Sequence, residues 1–147
     1  VVLRPEVLRA RLLRLEEILS ELASLAALQP AAVRTSMRDS WAVERGLQVG
    51  AECLFDIGNH ILSAHFGASP QGYEDILAQL EARGVLSPEL RHRLKGLGGF
   101  RNLLVHDYLR LDPEQVAAAL ARAPKDYGDF ALAIRSWLEE LSRHSGS

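Results

Sequence analysis

Apolar residues recur at alternating spacings of three and four along nearly the whole chain. No stretch shows the period of two that a half-buried strand requires. Leu8, Leu12, Leu15, Leu19 and Leu22 form one stripe. Met37, Trp41, Leu47, Ala51, Leu54, Ile57 and Ile61 mark a second, and Phe130, Ile134, Trp137 and Leu141 a last. A chain patterned in this way buries helix faces against helix faces, which predicts an all-α bundle. Its 147 residues suit one domain, 1–147. Apolar residues make up 48% of the chain and aromatics only 6%, so the predicted core is built mainly from Leu, Ala, Ile and Val.

Local signals set the predicted boundaries. Pro5 suits a first helical turn, and the Gln29–Pro30 step ends that helix. A second helix opens at Ser36, with Asp39 as a loose capping box, and runs ~30 residues to Phe66, long for a globular helix. After a loop, a short helix from Tyr73 to Arg83 closes at Gly84. Ser87-Pro88-Glu89 starts a fourth helix, predicted to reach Leu111. Asp112-Pro113-Glu114 starts a fifth, to Arg122. Ala123-Pro124 breaks it before a last helix, whose tail Arg143–Ser147 is expected to fray. The first, second and fourth helices are the long ones.

Composition excludes several classes. A net charge of −2 excludes a globally basic nucleic-acid binder but leaves room for a local basic face. Cys53 is the sole cysteine, so no intrachain disulfide forms. No apolar run approaches the ~18 residues of a membrane helix, and the charged opening VVLRPEVLRARL lacks the apolar core of a signal peptide. The expectation is a cytoplasmic protein with no membrane association. His60 and His65 are five apart with no cysteine beside them, so no metal site is expected.

The fourth helix breaks the pattern. Leu90, Leu94, Leu97, Arg101, Leu104, Tyr108 and Leu111 share one face, with an arginine in the middle of an apolar stripe. A buried guanidinium must find a carboxylate, an anion or water. Phe100, Leu103, Val105 and Leu109 make the helix apolar on nearly every side, yet it also carries Asn102, His106 and Asp107. Five basic residues (Arg91, Arg93, Lys95, Arg101, Arg110) against two acidic ones (Glu89, Asp107) make it locally electropositive. That suits a phosphate-facing surface or a solvated face equally. Taken singly, each of these polar residues is ordinary: an arginine paired to a neighbouring helix, a satisfied histidine. Together, within eight residues of an apolar helix, they point to a site.

Arg101-Asn-Leu-Leu-Val-His106-Asp-Tyr108 resembles the R-x4-H-x-Y motif of the HepT toxins, a family of the HEPN superfamily of helical domains. AVERGLQVGAECLFDIGNHI, PQGYEDILAQLEARGVL and SPELRHRLKGLGGFRNLLVHDY follow the family in order, over roughly Ser36 to Ala119. The resemblance implies a HEPN-like bundle and a metal-independent ribonuclease, in which an RNA 2′-hydroxyl attacks its own phosphodiester. His106 suits proton transfer, because imidazole titrates near pH ~6.5. Arg101 suits phosphate stabilisation through its planar, permanently charged fork. Asn102 would orient the imidazole or touch phosphate. The resemblance further implies a homodimer with the site between the two motif helices. Gly96, Gly98 and Gly99 would let a second backbone approach. It implies a cognate MntA-type nucleotidyltransferase antitoxin that adds AMP to Tyr108, with no cofactor.

Geometry on an ideal helix raises one difficulty. Arg101 and Tyr108 are cofacial, whereas His106 lies about 140° from Arg101. A cleft shared by two chains, or a distortion near the glycines, would relieve it. The second helix carries a polar stripe, Gln48, Glu52, Asp56 and Asn59, either a solvated face or support for Arg101 and His106, with Asp56 the best candidate. The alternative function is a non-catalytic HEPN module that binds a nucleotide or docks a nucleotidyltransferase; a plain dimerisation domain is a third. The intact Arg101/His106 pair favours the ribonuclease.

Overall fold

In a computed structural model, residues 2–28 and 36–145 are described, and none of them forms a strand. The Gln29–Pro30 step and the last two residues of the tail lie outside them. Helix α1 spans Pro5–Ala26 and α2 spans Met37–His60, continued by a π-helical turn Ile61–His65. Helices α3 (Tyr73–Ala82), α4 (Pro88–Leu94) and α5 (Leu97–His106) are short. A 3-10 turn, Tyr108–Arg110, leads to α6, Pro113–Ser145.

The expected start signals form as hydrogen bonds. Ser36 Oγ accepts from the Asp39 amide at 3.2 Å, and Ser87 Oγ from the Leu90 amide at 3.1 Å. Asp112 Oδ1 accepts from the Glu114 amide at 3.0 Å at the head of α6. Helices α1, α2 and α6 pack against one another around Leu8, Leu12, Leu15, Leu47, Leu54, Ile57, Phe130 and Ile134; α3 and α5 lie along α2, and α4 packs against α3 and α6. Each such side chain contributes about 1.5–3 kcal/mol by leaving water. Met37 and Trp41, expected in the core stripe, stand instead at 67% and 65% exposure in the first turns of α2.

Three boundaries differ from the sequence pattern. The expected fifth and last helices are one, with Pro124 inside α6. An interior proline costs about 3 kcal/mol. The continuous buried face of Val116, Leu120, Ala123, Tyr127, Phe130, Ile134 and Leu138 outweighs it. Helix α6 extends past its last buried residue, Leu138, to Ser145, with residues 142–145 of the tail exposed. Conversely, the expected fourth helix is two. Lys95 leaves the helical conformation at ψ 134°, and Gly96 turns the chain at φ +86°, a left-handed position that favours glycine.

That elbow reorients α5 so that Gly98 meets α3. A Cβ added at Gly98 would lie 2.4 Å from Tyr73 Cβ, whereas one at Gly99 meets nothing within 4 Å. Within one chain the three glycines serve different ends: Gly96 makes the elbow, Gly98 admits Tyr73, and Gly99 faces open space. Gly98→Ala should destabilise the protein by a net ~1–2 kcal/mol, overpacking outweighing a gain in helix propensity. Gly99→Ala should stabilise it by up to ~1 kcal/mol. Urea unfolding of the two variants should give midpoint shifts of opposite sign; a common sign would contradict the α3–α5 contact.

Candidate active site

Arg101 projects from α5 between α2 and α3, its side chain 19% exposed. Its Nη2 donates to Glu52 Oε1 at 3.2 Å, and Gln48 Nε2 donates to the same oxygen at 2.8 Å. Its Nη1 donates to Asn102 Oδ1 at 3.2 Å. The guanidinium carbon stands 5.7 Å from the Tyr73 ring centroid, close enough for a cation–π contact, and Tyr73 in turn stacks on Phe55 at 4.4 Å. The arginine in the apolar stripe has thus found a carboxylate and an aromatic face. Its Nε, buried, has no hydrogen-bond partner among the described residues.

The carboxylate is not the one expected. Asp56 is exposed and makes no hydrogen bond or ion pair among the described residues. Its charge is felt at Cys53, whose thiol is pushed up first by burial and then by Asp56. The physical reason is register. Arg101 lies level with Glu52, and one turn further along α2 the neighbour is α3: Phe55 meets Tyr73, and Gly58 meets Ile76. Of the polar stripe, Glu52 meets Arg101 and Gln48 holds Glu52.

Asn102 and His106, one helical turn apart, are both exposed. His106 is the last residue of α5, and its imidazole makes no hydrogen bond or ion pair among the described residues. Within one chain Arg101 therefore turns inward and His106 outward, as the helical geometry requires. Asn102 accepts from Arg101 and lies one turn before His106, with no bond to it.

Tyr108 is not cofacial with Arg101, because α5 stops at His106. Asp107 leaves the helix at φ −142°, ψ 47°, and Tyr108 opens the 3-10 turn. Tyr108 and Leu109 are 67% and 86% exposed. Within one chain the helix that is apolar on nearly every side is not covered on every side: Gly98 is the one fully buried residue of α5, and Leu97, Phe100, Leu103, Leu104 and Val105 are half-buried. Among the described residues no group of His, Cys, Asp and Glu could hold a metal ion.

The Glu52–Arg101 pair is testable apart from activity. A double-mutant cycle over Glu52→Gln and Arg101→Gln, read by urea unfolding, should give a coupling of about 1 kcal/mol. That is at or above the upper end for exposed pairs, as partial burial requires. A coupling near zero would show that the guanidinium is held by something else.

The family model described as ribonuclease HepT-like matches residues 15–134. The tRNA nuclease HepT of Aphanizomenon flos-aquae is 33% identical over 112 residues, which cover 76% of each chain. The mRNA nuclease HepT of Shewanella oneidensis is 30% identical over 90 residues, 61% of this chain and 68% of that one. Among solved structures, the cytosolic protein YutE from Bacillus subtilis superposes with a TM-score of 0.76 at 25% identity, covering 90% of this chain and 91% of its own. The tri-AMPylated Shewanella oneidensis HEPN toxin, solved in complex with an MNT antitoxin, shares the fold with a TM-score of 0.81 at 21% identity, covering 90% and 99%. With its all-α architecture and its intact Arg101-x4-His106-x-Tyr108 segment, the chain belongs to the ribonuclease HepT-like family, and its fold is that of the HEPN toxins.

Proposed function

We propose that this HepT-type ribonuclease is the toxin of a toxin–antitoxin pair and cleaves RNA in the cytoplasm without a metal ion, in a site shared by two copies of the chain. The observation that carries the reading is the solvent-facing His106 imidazole, free of any described partner and one turn beyond the Asn102 that Arg101 holds. Relatives named as tRNA and mRNA nucleases support RNA as the substrate class. The exposed Tyr108 and Leu109 next to His106 support a second chain at this end of α5, since large exposed apolar groups in one place mark contact surfaces.

In the reaction the 2′-hydroxyl oxygen attacks the adjacent phosphorus and the bond to the 5′-oxygen breaks. One His106 takes the 2′ proton, and His106 of the second copy gives a proton to the departing 5′-oxygen. A cyclic phosphate and a 5′-hydroxyl result. Arg101, oriented by Glu52 and Asn102, stabilises the charge that builds on the phosphorane oxygens. Two copies also answer the angular problem, because the inward Arg101 and outward His106 of one helix need not serve the same phosphate oxygen. No group foreign to the chain is required.

His106→Ala and Arg101→Ala should each abolish RNA cleavage and growth arrest while helicity by circular dichroism stays unchanged, and wild-type cleavage should survive EDTA. The wild type should sediment as a dimer at tens of micromolar, a range in which a standard-size interface holds. Cleavage lost to EDTA and restored by magnesium would overturn the metal-free mechanism, and a fully active monomer would overturn the shared site.

Control of the toxin is proposed to act at Tyr108, through AMP transferred by a cognate MntA-type nucleotidyltransferase antitoxin. The AMPylated toxin with the same fold supports this. Beside His106, the added phosphate and nucleoside would put negative charge and bulk where RNA phosphate must lie. The other tyrosines are poor acceptors. Tyr73 is packed between Phe55 and Gly98, and Tyr127 is 3% exposed, with burial holding its phenol far above the ordinary range. After co-expression with the antitoxin, intact mass should rise by AMP units, and peptide mapping should place the modification at Tyr108 with Tyr73 and Tyr127 unmodified. Tyr108→Phe neutralised as completely as wild type would replace modification by steric inhibition.

A further inference from the structure

The α4–α5 elbow and the N-terminal half of α6 line an open hollow of about 150 Å³, on the side of α5 marked by Phe100 rather than Asn102 and His106. Its polar lining comes from Arg93, Lys95, Gln115, Arg122 and Asp126. The volume is below the ~300–1,000 Å³ of sites that enclose a whole small molecule. It suits a single phosphate group better than a nucleoside.

Charge in this hollow is not balanced. Arg93 donates through Nη1 to Asp126 at 3.1 Å and through Nη2 to Asp129 at 2.6 Å, and Asp129 also accepts from Lys125 at 3.1 Å. Those two carboxylates are thereby committed to Arg93 and Lys125. The Arg93 Nε, buried, has no hydrogen-bond partner among the described residues. Lys95 and Arg122, both exposed, have no carboxylate partner among the described residues either. Of the five basic residues that made the segment electropositive, Arg91, Arg93, Arg101 and Arg110 each lie within 4.0 Å of a carboxylate, and Lys95 alone does not. The fold places Arg122, from a helix turn much later in the chain, on the same hollow as that lone lysine.

We propose that this elbow hollow is a phosphate-binding subsite for the RNA strand, in which Lys95 and Arg122 hold a backbone phosphate away from the one being cleaved. The proposal rests on the ribonuclease reading. Lys95 and Gly96 precede α5, and His106 ends it nine residues after Leu97, about 14 Å at 1.5 Å per residue, so a phosphate held at Lys95 is not the one that His106 of the same chain acts on. The subsite would add affinity and set the direction of the strand across α5 without touching the chemistry. Such contacts position a nucleic acid and do not read its bases.

The test uses the full chain carrying His106→Ala, so that RNA survives, and a fluorescein-labelled mixed-sequence RNA oligonucleotide titrated between about 50 and 200 mM salt. Adding Lys95→Gln and Arg122→Gln should weaken binding roughly tenfold at the middle of that range. It should also lower the slope of log affinity against log salt by about 0.7, the share of one single-strand phosphate. Arg9→Gln with Arg14→Gln removes the same charge from the exposed face of α1 and should leave the slope unchanged. Because Lys95 and Arg122 are exposed, unfolding temperature serves as the check on folding. Unchanged affinity and slope in the Lys95/Arg122 variant, while the parent binds RNA, would overturn the subsite and leave the ribonuclease reading standing. So would stabilisation by inorganic phosphate that the variant loses with RNA affinity intact, which would assign the hollow to free phosphate. No RNA binding by the parent, with no cleavage by the wild type, would overturn both.

Discussion

The bond from Arg101 to Glu52 is the constraint on which the site depends. A guanidinium sunk between two helices needs an anion, and the anion available at that level of α2 is Glu52. Meeting it fixes how α5 lies along α2. Two backbone features make the meeting possible. Gly96 turns the chain at the elbow, and Gly98 lets Tyr73 close to van der Waals contact, placing its ring under the guanidinium. Neither feature is catalytic, yet both are required for Arg101 to stand where it does.

The same helix then divides its functions by face. Its inward side carries Leu97, Gly98, Arg101 and Leu104, packed or paired within the chain. Its outward side carries Gly99, Asn102 and His106, and just past its end stand Tyr108 and Leu109. The inward side orders the cation, and the outward side leaves an acid–base group and apolar surface uncommitted. A helix organised in this way is complete as a structure, while the proposed reaction needs both a proton acceptor and a proton donor, which is the physical ground for proposing a second copy.

Helix positions were largely legible in the chain because they follow from local chemistry. Ser36, Ser87 and Asp112 cap helices wherever such residues precede an apolar periodic run, and the predicted hydrogen bonds form. Breaks were less legible. Pro124 reads as a stop from its own chemistry, but the buried face of α6 runs through it. Lys95-Gly96 reads as tolerable within a helix, but the geometry of α3 and α5 demands a turn there. At Pro124 burial, which is a property of the whole fold, overrides local propensity; at Gly96 the turn agrees with propensity, since glycine tolerates the left-handed conformation.

The sequence by itself determined the all-α class, the membership of Arg101, Asn102 and His106 in one short segment, and the need of Arg101 for a carboxylate, an anion or water. Period, motif and the cost of a buried charge are local facts, carried by residues a few positions apart. The tertiary structure alone decided that the carboxylate is Glu52 rather than Asp56. It also decided that Tyr108 lies beyond the helix rather than on its stripe, that Met37 and Trp41 face outward, and that Lys95 shares a hollow with Arg122. Each of these is a matter of register between helices far apart in the chain, 49 residues for Arg101 and Glu52. A shift of one turn, about 5.4 Å, exchanges one partner for another while leaving every local pattern unchanged.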